Sequence, residues 1–162
     1  MRALIVALLI AAGTAQTAAA APVFRADVDR PMDTVYPAVK AALEEAKFFV
    51  VFEVNIGENL ARFKERWGED YNRRNLSGIR SMVFCNGWYA NRVGNADPDM
   101  LAVCPLRLTL VAKAGTTRVL FPRPTRLAGD SDAGDVLEEV ERAVIGAIRD
   151  GTEAARGAGG SP

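Results

Sequence analysis

The two cysteines of this 162-residue chain, Cys85 and Cys104, are the residues best suited to chemistry. A cysteine pair can form a structural disulfide, can cycle as a redox pair, or can bind a soft metal ion such as Cu(I). The chain has no histidine. That absence removes the commonest general base, the Ser-His-Asp triad and covalent c-type haem attachment. What can be said about function therefore depends mainly on these two sulfurs.

The first 20 residues indicate the compartment in which the cysteines work. "MRALIVALLIAAGTAQTAAA" contains one basic residue, Arg2, then an apolar run and then small residues, which is the order of a signal peptide. The apolar run is shorter than the ~20 residues that span a bilayer. We predict that residues 1–20 are cleaved, that the protein is exported to the periplasm, and that no membrane span remains. An oxidising compartment favours a disulfide.

The pattern of apolar residues predicts a single α+β domain over residues 21–151. Strands are predicted near residues 23–29, 48–56, 78–85, 104–113 and 116–124, with a helix after the first of them. The last helix is predicted from Asp132 to Asp150 and buries the apolar stripe Val136, Val140, Val144 and Ile148. Gly151 is expected to end it, with residues 152–162 as a disordered tail. The expected architecture is an antiparallel sheet with helices packed on one face.

The segment "NLARFKERWGEDYNRRN" allows two interpretations. Leu60, Phe63, Trp67 and Tyr71 could form one apolar helix face, and the surrounding arginines could bind an acidic partner or a phosphate. Alternatively, the acidic residues in the same segment balance the charge, and the segment is a solvated surface. The second interpretation is favoured because mixed charge runs usually face solvent.

The cysteine segment resembles a known family. The pattern "FCN…YA…V…ADP…CPLRLTL…G…RVLFPRP" is similar to the domain-of-unknown-function family 302, and the resemblance runs from about Asp33 to Leu127. It implies a TBP-like β-α-β(4)-α arrangement, and secreted members often carry two such cysteines. The family has no established reaction, so the resemblance implies no catalytic residues.

Three roles remain open for the cysteine pair. If the strand ending at Cys85 and the strand beginning at Cys104 are neighbours, a disulfide can close a loop of about 20 residues, worth about 3 kcal/mol. We expect this structural disulfide. A thiol-disulfide redox or sulfur-handling role is an alternative, because a short helix is predicted to begin near Trp88, just after Cys85. A soft-metal or haem carrier, with Met100 as a possible further ligand, is the third.

We interpret the chain as an exported binding domain, rather than an enzyme, for a small molecule or a periplasmic protein. The candidate contact residues are Asn86, Trp88, Tyr89, Met100 and Arg107. No metal site and no resident cofactor are predicted, with haem or copper kept as the alternative. The balance of 20 basic against 20 acidic residues argues against nucleic acid as a partner. The sequence does not determine the oligomeric state.

Overall fold

A five-stranded antiparallel sheet forms the centre of the computed structural model, which describes residues 21–158. The spatial order of the strands is β1-β5-β4-β3-β2. Their bounds are β1 Val23–Val28, β2 Phe49–Asn55, β3 Gly78–Cys85, β4 Leu106–Lys113 and β5 Thr116–Pro122. The predicted antiparallel α+β sheet is confirmed. The predicted signal peptide, residues 1–20, lies outside the described residues.

The helix after β1, the helix after Cys85 and the last helix lie where the sequence predicted them, whereas the short helix Thr125–Ala128 was not predicted. The helices are α1 Met32–Glu45, α2 Ile56–Ala61, α3 Lys64–Trp67, α4 Gly87–Ala96, α5 Thr125–Ala128 and α6 Gly134–Gly157. Short 3-10 turns cover Gly68–Asp70 and Pro98–Val103. Between residues 21 and 158, no helix is long and apolar enough to span a membrane.

The core lies between the sheet and the two long helices, α1 and α6. The predicted stripe of α6 is buried, and Val144 and Ile148 are fully inaccessible to solvent. Along β4 the side chains alternate, so that Leu106 and Leu108 enter the core while Arg107 lies exposed on the other face. The predicted placement of helices on one face of the sheet is therefore confirmed.

The predicted end of the last helix at Gly151 is wrong. Helix α6 continues to Gly157, and both Thr152 and Ala155 are buried, so residues 152–157 are not a disordered tail. A Cβ atom on Gly151 would lie 2.6 Å from the Cα atom of Val39 in α1. The glycine is needed for the close approach of the two helices and not for a helix stop. Residues 159–162 of the predicted tail lie outside the described part of the chain.

Candidate functional site

The two cysteines lie at the same end of a pair of neighbouring strands. In the β3–β4 ladder Phe84 pairs with Leu106. Cys85 is the residue after Phe84, and Cys104 is two residues before Leu106. The condition on which the expected disulfide depends, that the two flanking strands are neighbours, is therefore met. Both cysteines line one cavity of about 10 Å³, which is enclosed by core side chains such as Leu137.

Both cysteines are half-buried free thiols in the structure. Burial raises the pKa of the Cys104 thiol, and the nearby negative charge of an ionised Cys85 raises it further. The thiol of Cys104 therefore resists ionisation. The two cysteine side chains are close to each other, because they line the same cavity and the charge of one affects the pKa of the other. The predicted disulfide itself is not shown and stays a prediction.

Three of the predicted contact residues follow directly after Cys85. The side-chain oxygen of Asn86 accepts hydrogen bonds from the backbone N–H groups of Trp88, at 3.0 Å, and Tyr89, at 3.1 Å. Asn86 thus caps helix α4. The ring of Tyr89 stacks on Phe48 with 5.8 Å between centroids, which makes it a wall of the cysteine cavity. The side chain of Trp88 is 67% exposed and is free for contact with a partner.

The other two predicted contact residues do not line this cavity. Met100 packs against a second small core that includes Val93 and Leu137. Arg107 points away from the helices, on the open face of the sheet. The five predicted contact residues therefore do not form one site. Asn86 and Tyr89 line the cysteine cavity, Trp88 is exposed beside it, and the other two lie elsewhere. In residues 21–158, no cluster of three or more Cys, Asp or Glu side chains is arranged to hold a metal ion.

A much larger groove, of about 1170 Å³, lies at the opposite end of the same two strands. It is bounded by the start of β3, the end of β4, the N-terminus of α1 and the connection between β2 and β3. The lining includes Met32, Leu60, Trp67, Tyr71, Arg74, Leu76, Ile79 and Arg80. The sequence placed four aromatic and apolar residues of this connection on one helix face. The structure instead divides the segment into α2, α3 and the 3-10 turn Gly68–Asp70, which arch over the groove.

Specific contacts hold the walls of the groove in place. The side chain of Asn72 donates to the backbone oxygen of Leu76 and accepts from its N–H, each at 2.9 Å, which closes the loop that follows the 3-10 turn. The ring of Trp67 stacks on Phe63 with 4.9 Å between centroids. The stacking on Phe63 orients the tryptophan, which stays 38% exposed.

Arg80 brings a positive charge to the groove from β3. Its guanidinium lies 3.9 Å from the ring centroid of Tyr36, whose hydroxyl donates to Glu53 at 2.7 Å. Burial raises the pKa of Tyr36, and the hydrogen bond to Glu53 adds to the effect. The hydroxyl therefore stays protonated and acts as a donor. The cation-π contact fixes the direction of the Arg80 side chain.

The sequence did not single out the groove as a site, although it did mark part of it. Trp67, Tyr71 and the neighbouring arginines were visible as a patch with two interpretations. Met32 and Ala112 also line the groove, but they are far from that patch in the sequence. Only the fold shows that these residues meet.

Comparison with known proteins identifies the kind of domain. A family model described as "Domain of unknown function DUF302" matches residues 24–151. A solved structure described as the uncharacterized conserved protein DUF302 from Bacillus stearothermophilus has a TM-score of 0.69 at 22% sequence identity. That match covers 81% of this chain and 98% of the other, and it shows a shared fold. The search of curated proteins gives no significant match.

Proposed function

This chain belongs to the family of domain of unknown function DUF302, and we propose that it is an exported binding domain whose small ligand occupies the groove. The groove carries this proposal. Its volume of about 1170 Å³ is somewhat above the range, roughly 300–1,000 Å³, that small-molecule sites usually have, so a small ligand has room to enter. The cysteine cavity, at about 10 Å³, has room for about one water molecule. Ligand binding is therefore better supported at the groove.

The lining of the groove indicates the chemistry of the ligand. Apolar side chains from α1, α2 and β3 supply a surface for an apolar body, and Trp67 offers an aromatic face. Arg80 and Arg74 supply positive charge. Arg73 pairs with Asp70, whereas Arg74 forms no ion pair within residues 21–158. We therefore assign the groove to a small molecule with an aromatic or apolar body and one anionic group.

Binding of 8-anilinonaphthalene-1-sulfonate tests this assignment, because the dye combines an aromatic body with a single sulfonate. Fluorescence titration of the folded protein should give saturable binding. Trp67→Ala and Arg74→Ala should each weaken it by about tenfold, the effect of a contact worth about 1.4 kcal/mol. Trp88→Ala is the matched control, since it removes the only other tryptophan, which lies at the far end of the sheet. Equal affinity in all three variants would refute the assignment.

The cysteine pair has a separate, structural role in this proposal. Export would place the thiols in an oxidising compartment, and the shared cavity gives neither sulfur another partner of its kind. We propose that Cys85 and Cys104 form a disulfide that pins the loop between β3 and β4, as in a secreted, two-cysteine member of the family. Free-thiol titration of the protein recovered from the periplasm should find no reactive thiol. Two titratable thiols in the unfolded, unreduced protein would contradict the disulfide.

A redox role is the second candidate, and the position of Cys85 favours it. Helix α4 begins at Gly87, two residues after Cys85, and redox-active cysteines usually lie beside a helix N-terminus. The raised pKa of Cys104 opposes easy exchange. A structural disulfide should have a reduction potential below about −300 mV, whereas an exchanging pair should lie nearer about −200 mV. Copper or haem bound by the reduced protein would instead support the soft-metal alternative.

A further inference from the structure

Strand β2 is an edge strand with an unusually apolar surface. The strand order leaves β2 at one side of the sheet, with β3 as its one neighbour among the described residues. Phe49 is 57% exposed, Val51 64% and Phe52 60%. An exposed apolar edge strand is a template for pairing with another chain.

The adjoining face of the sheet continues this apolar surface. Cross-strand partners share a face, and the register pairs Phe52 with Val83 and Val54 with Ser81. Ile79 and Val111 form another pair on the next two strands. These residues point away from α1 and α6, which pack on the opposite face. The apolar edge and the partly exposed side chains beside it form one patch, here called the β2 patch: Phe49, Val51, Phe52, Val54 and Val83.

The charges around the β2 patch favour a second copy of this chain as its occupant. Glu53 is the one charged residue of β2, and its carboxylate is bound on the helix side by Lys40 and by the Tyr36 hydroxyl. None of the five residues of the β2 patch itself carries a charge that would repel an identical patch. The other edge strand, β1, carries charge at its surface, because its Asp27 forms an exposed ion pair with Arg118. Arg107 pairs with Val83 at the inner margin of the patch, two strands in from β2 and roughly 10 Å from it, where it would face the rim of the contact.

The exposed area is consistent with a dimer. Large aromatic side chains cover about 150–250 Å² each, so the exposed parts of Phe49, Val51 and Phe52 supply roughly 300 Å² per copy. A standard interface needs about 800 Å² per partner. In such a dimer the remainder would come from the half-exposed neighbours on the open face and from the strand backbone. The ladder is irregular between Val50 and Phe52, so side chains, more than new backbone bonds, would hold the two copies.

We propose that the protein forms a dimer in which the β2 patches of two copies face each other across a two-fold axis near Phe52, the centre of β2. In a two-fold contact each residue near the axis meets its own copy. A single charge placed at Phe52 would therefore meet the same charge on the other subunit. This makes the dimer unusually sensitive to one substitution.

Sedimentation equilibrium of the mature protein tests the proposal. The unmodified protein should be a dimer, and Phe52→Glu should be a monomer with an unchanged circular dichroism spectrum. Leu127→Glu is the matched control, because Leu127 is 69% exposed in α5 and lies outside the β2 patch. It should remain a dimer. If Phe52→Glu fails to fold, Val51→Lys, at the most exposed position of the patch, replaces it.

Three results would overturn the proposal. An unmodified protein that is a monomer at every concentration measured would show that a second copy does not cover the β2 patch. A folded Phe52→Glu or Val51→Lys variant that remains a dimer would show that the subunits meet at another surface. Loss of the dimer in Leu127→Glu alone would place the interface at α5.

Discussion

Replacement of Gly151 by alanine should destabilise the protein, although alanine normally strengthens a helix. The added Cβ atom would lie 2.6 Å from the Cα atom of Val39 and 2.9 Å from the backbone oxygen of Ala38. Favourable carbon contacts are at about 3.5–4.0 Å. Both neighbours are backbone atoms of α1, so no side chain can rotate to make room. Helices α1 and α6 would have to separate.

The expected change in the free energy of unfolding of Gly151→Ala is the sum of two opposing effects. Overpacking of a core contact costs about 1–3 kcal/mol. Alanine in place of glycine in a helix contributes about 1 kcal/mol in the other direction. Gly146→Ala isolates the helix-propensity term, because Gly146 lies in the same helix and no atom outside its own turn lies within 4 Å of the position that an added Cβ atom would take. Gly146→Ala should raise the free energy of unfolding by up to about 1 kcal/mol.

Urea unfolding followed by circular dichroism in the far-ultraviolet helix band measures both variants. The free energy of unfolding of Gly151→Ala should be lower than that of Gly146→Ala by about 1–3 kcal/mol, the overpacking term alone. Equal stability of the two variants would refute the close packing of α1 on α6. It would also restore the simpler interpretation of Gly151 as the end of the helix.

Other substitutions test the rest of the fold. Val144→Asp should lower the free energy of unfolding by about 3 kcal/mol or more, because Val144 is fully buried and the carboxylate would have no partner; urea unfolding measures this. Truncation after Asp150 should lower the melting temperature by removing the buried last turns of α6, whereas truncation after Ala158 should leave it unchanged. In a Cys85→Ser variant, alkylation of Cys104 by iodoacetamide should be slower at neutral pH than that of an unfolded control, because burial raises its pKa. Its rate should keep increasing to higher pH than the rate of the control, and equal pH profiles would contradict the burial.

The long helices and the strands could be predicted because each has a regular spacing of apolar residues along its own stretch of the sequence. The stripe Val136, Val140, Val144 and Ile148 has the period of a helix with one buried face, and the structure buries all four. The apolar residues of "CPLRLTLVAK" likewise predicted a strand there, and the structure has β4 at Leu106–Lys113. The strands flanking the cysteines could be predicted as neighbours, because a short excursion joins them.

Features that depend on distant contacts could not be predicted in the same way. Gly151 has the local signature of a helix stop, and only its contact with Val39 shows that the glycine serves helix packing. The groove needs residues from α1, β4 and the arch between β2 and β3, so the sequence showed only Trp67 and its neighbours as an ambiguous patch. Met100 and Arg107 were grouped with the cysteines, but the fold packs Met100 against a second small core and places Arg107 on the open face of the sheet.

Chemical-shift mapping with 8-anilinonaphthalene-1-sulfonate tests the central claim, that the groove is the ligand site. Amide shifts of the ¹⁵N-labelled protein are followed as the dye is added. The account predicts that the largest changes occur around the groove, at the backbone amides of Leu60, Trp67, Gly78 and Arg80, with little change near Trp88. Changes concentrated at Phe49 and Phe52, or around the cysteine cavity, would contradict it, because the dye would then be binding another apolar surface.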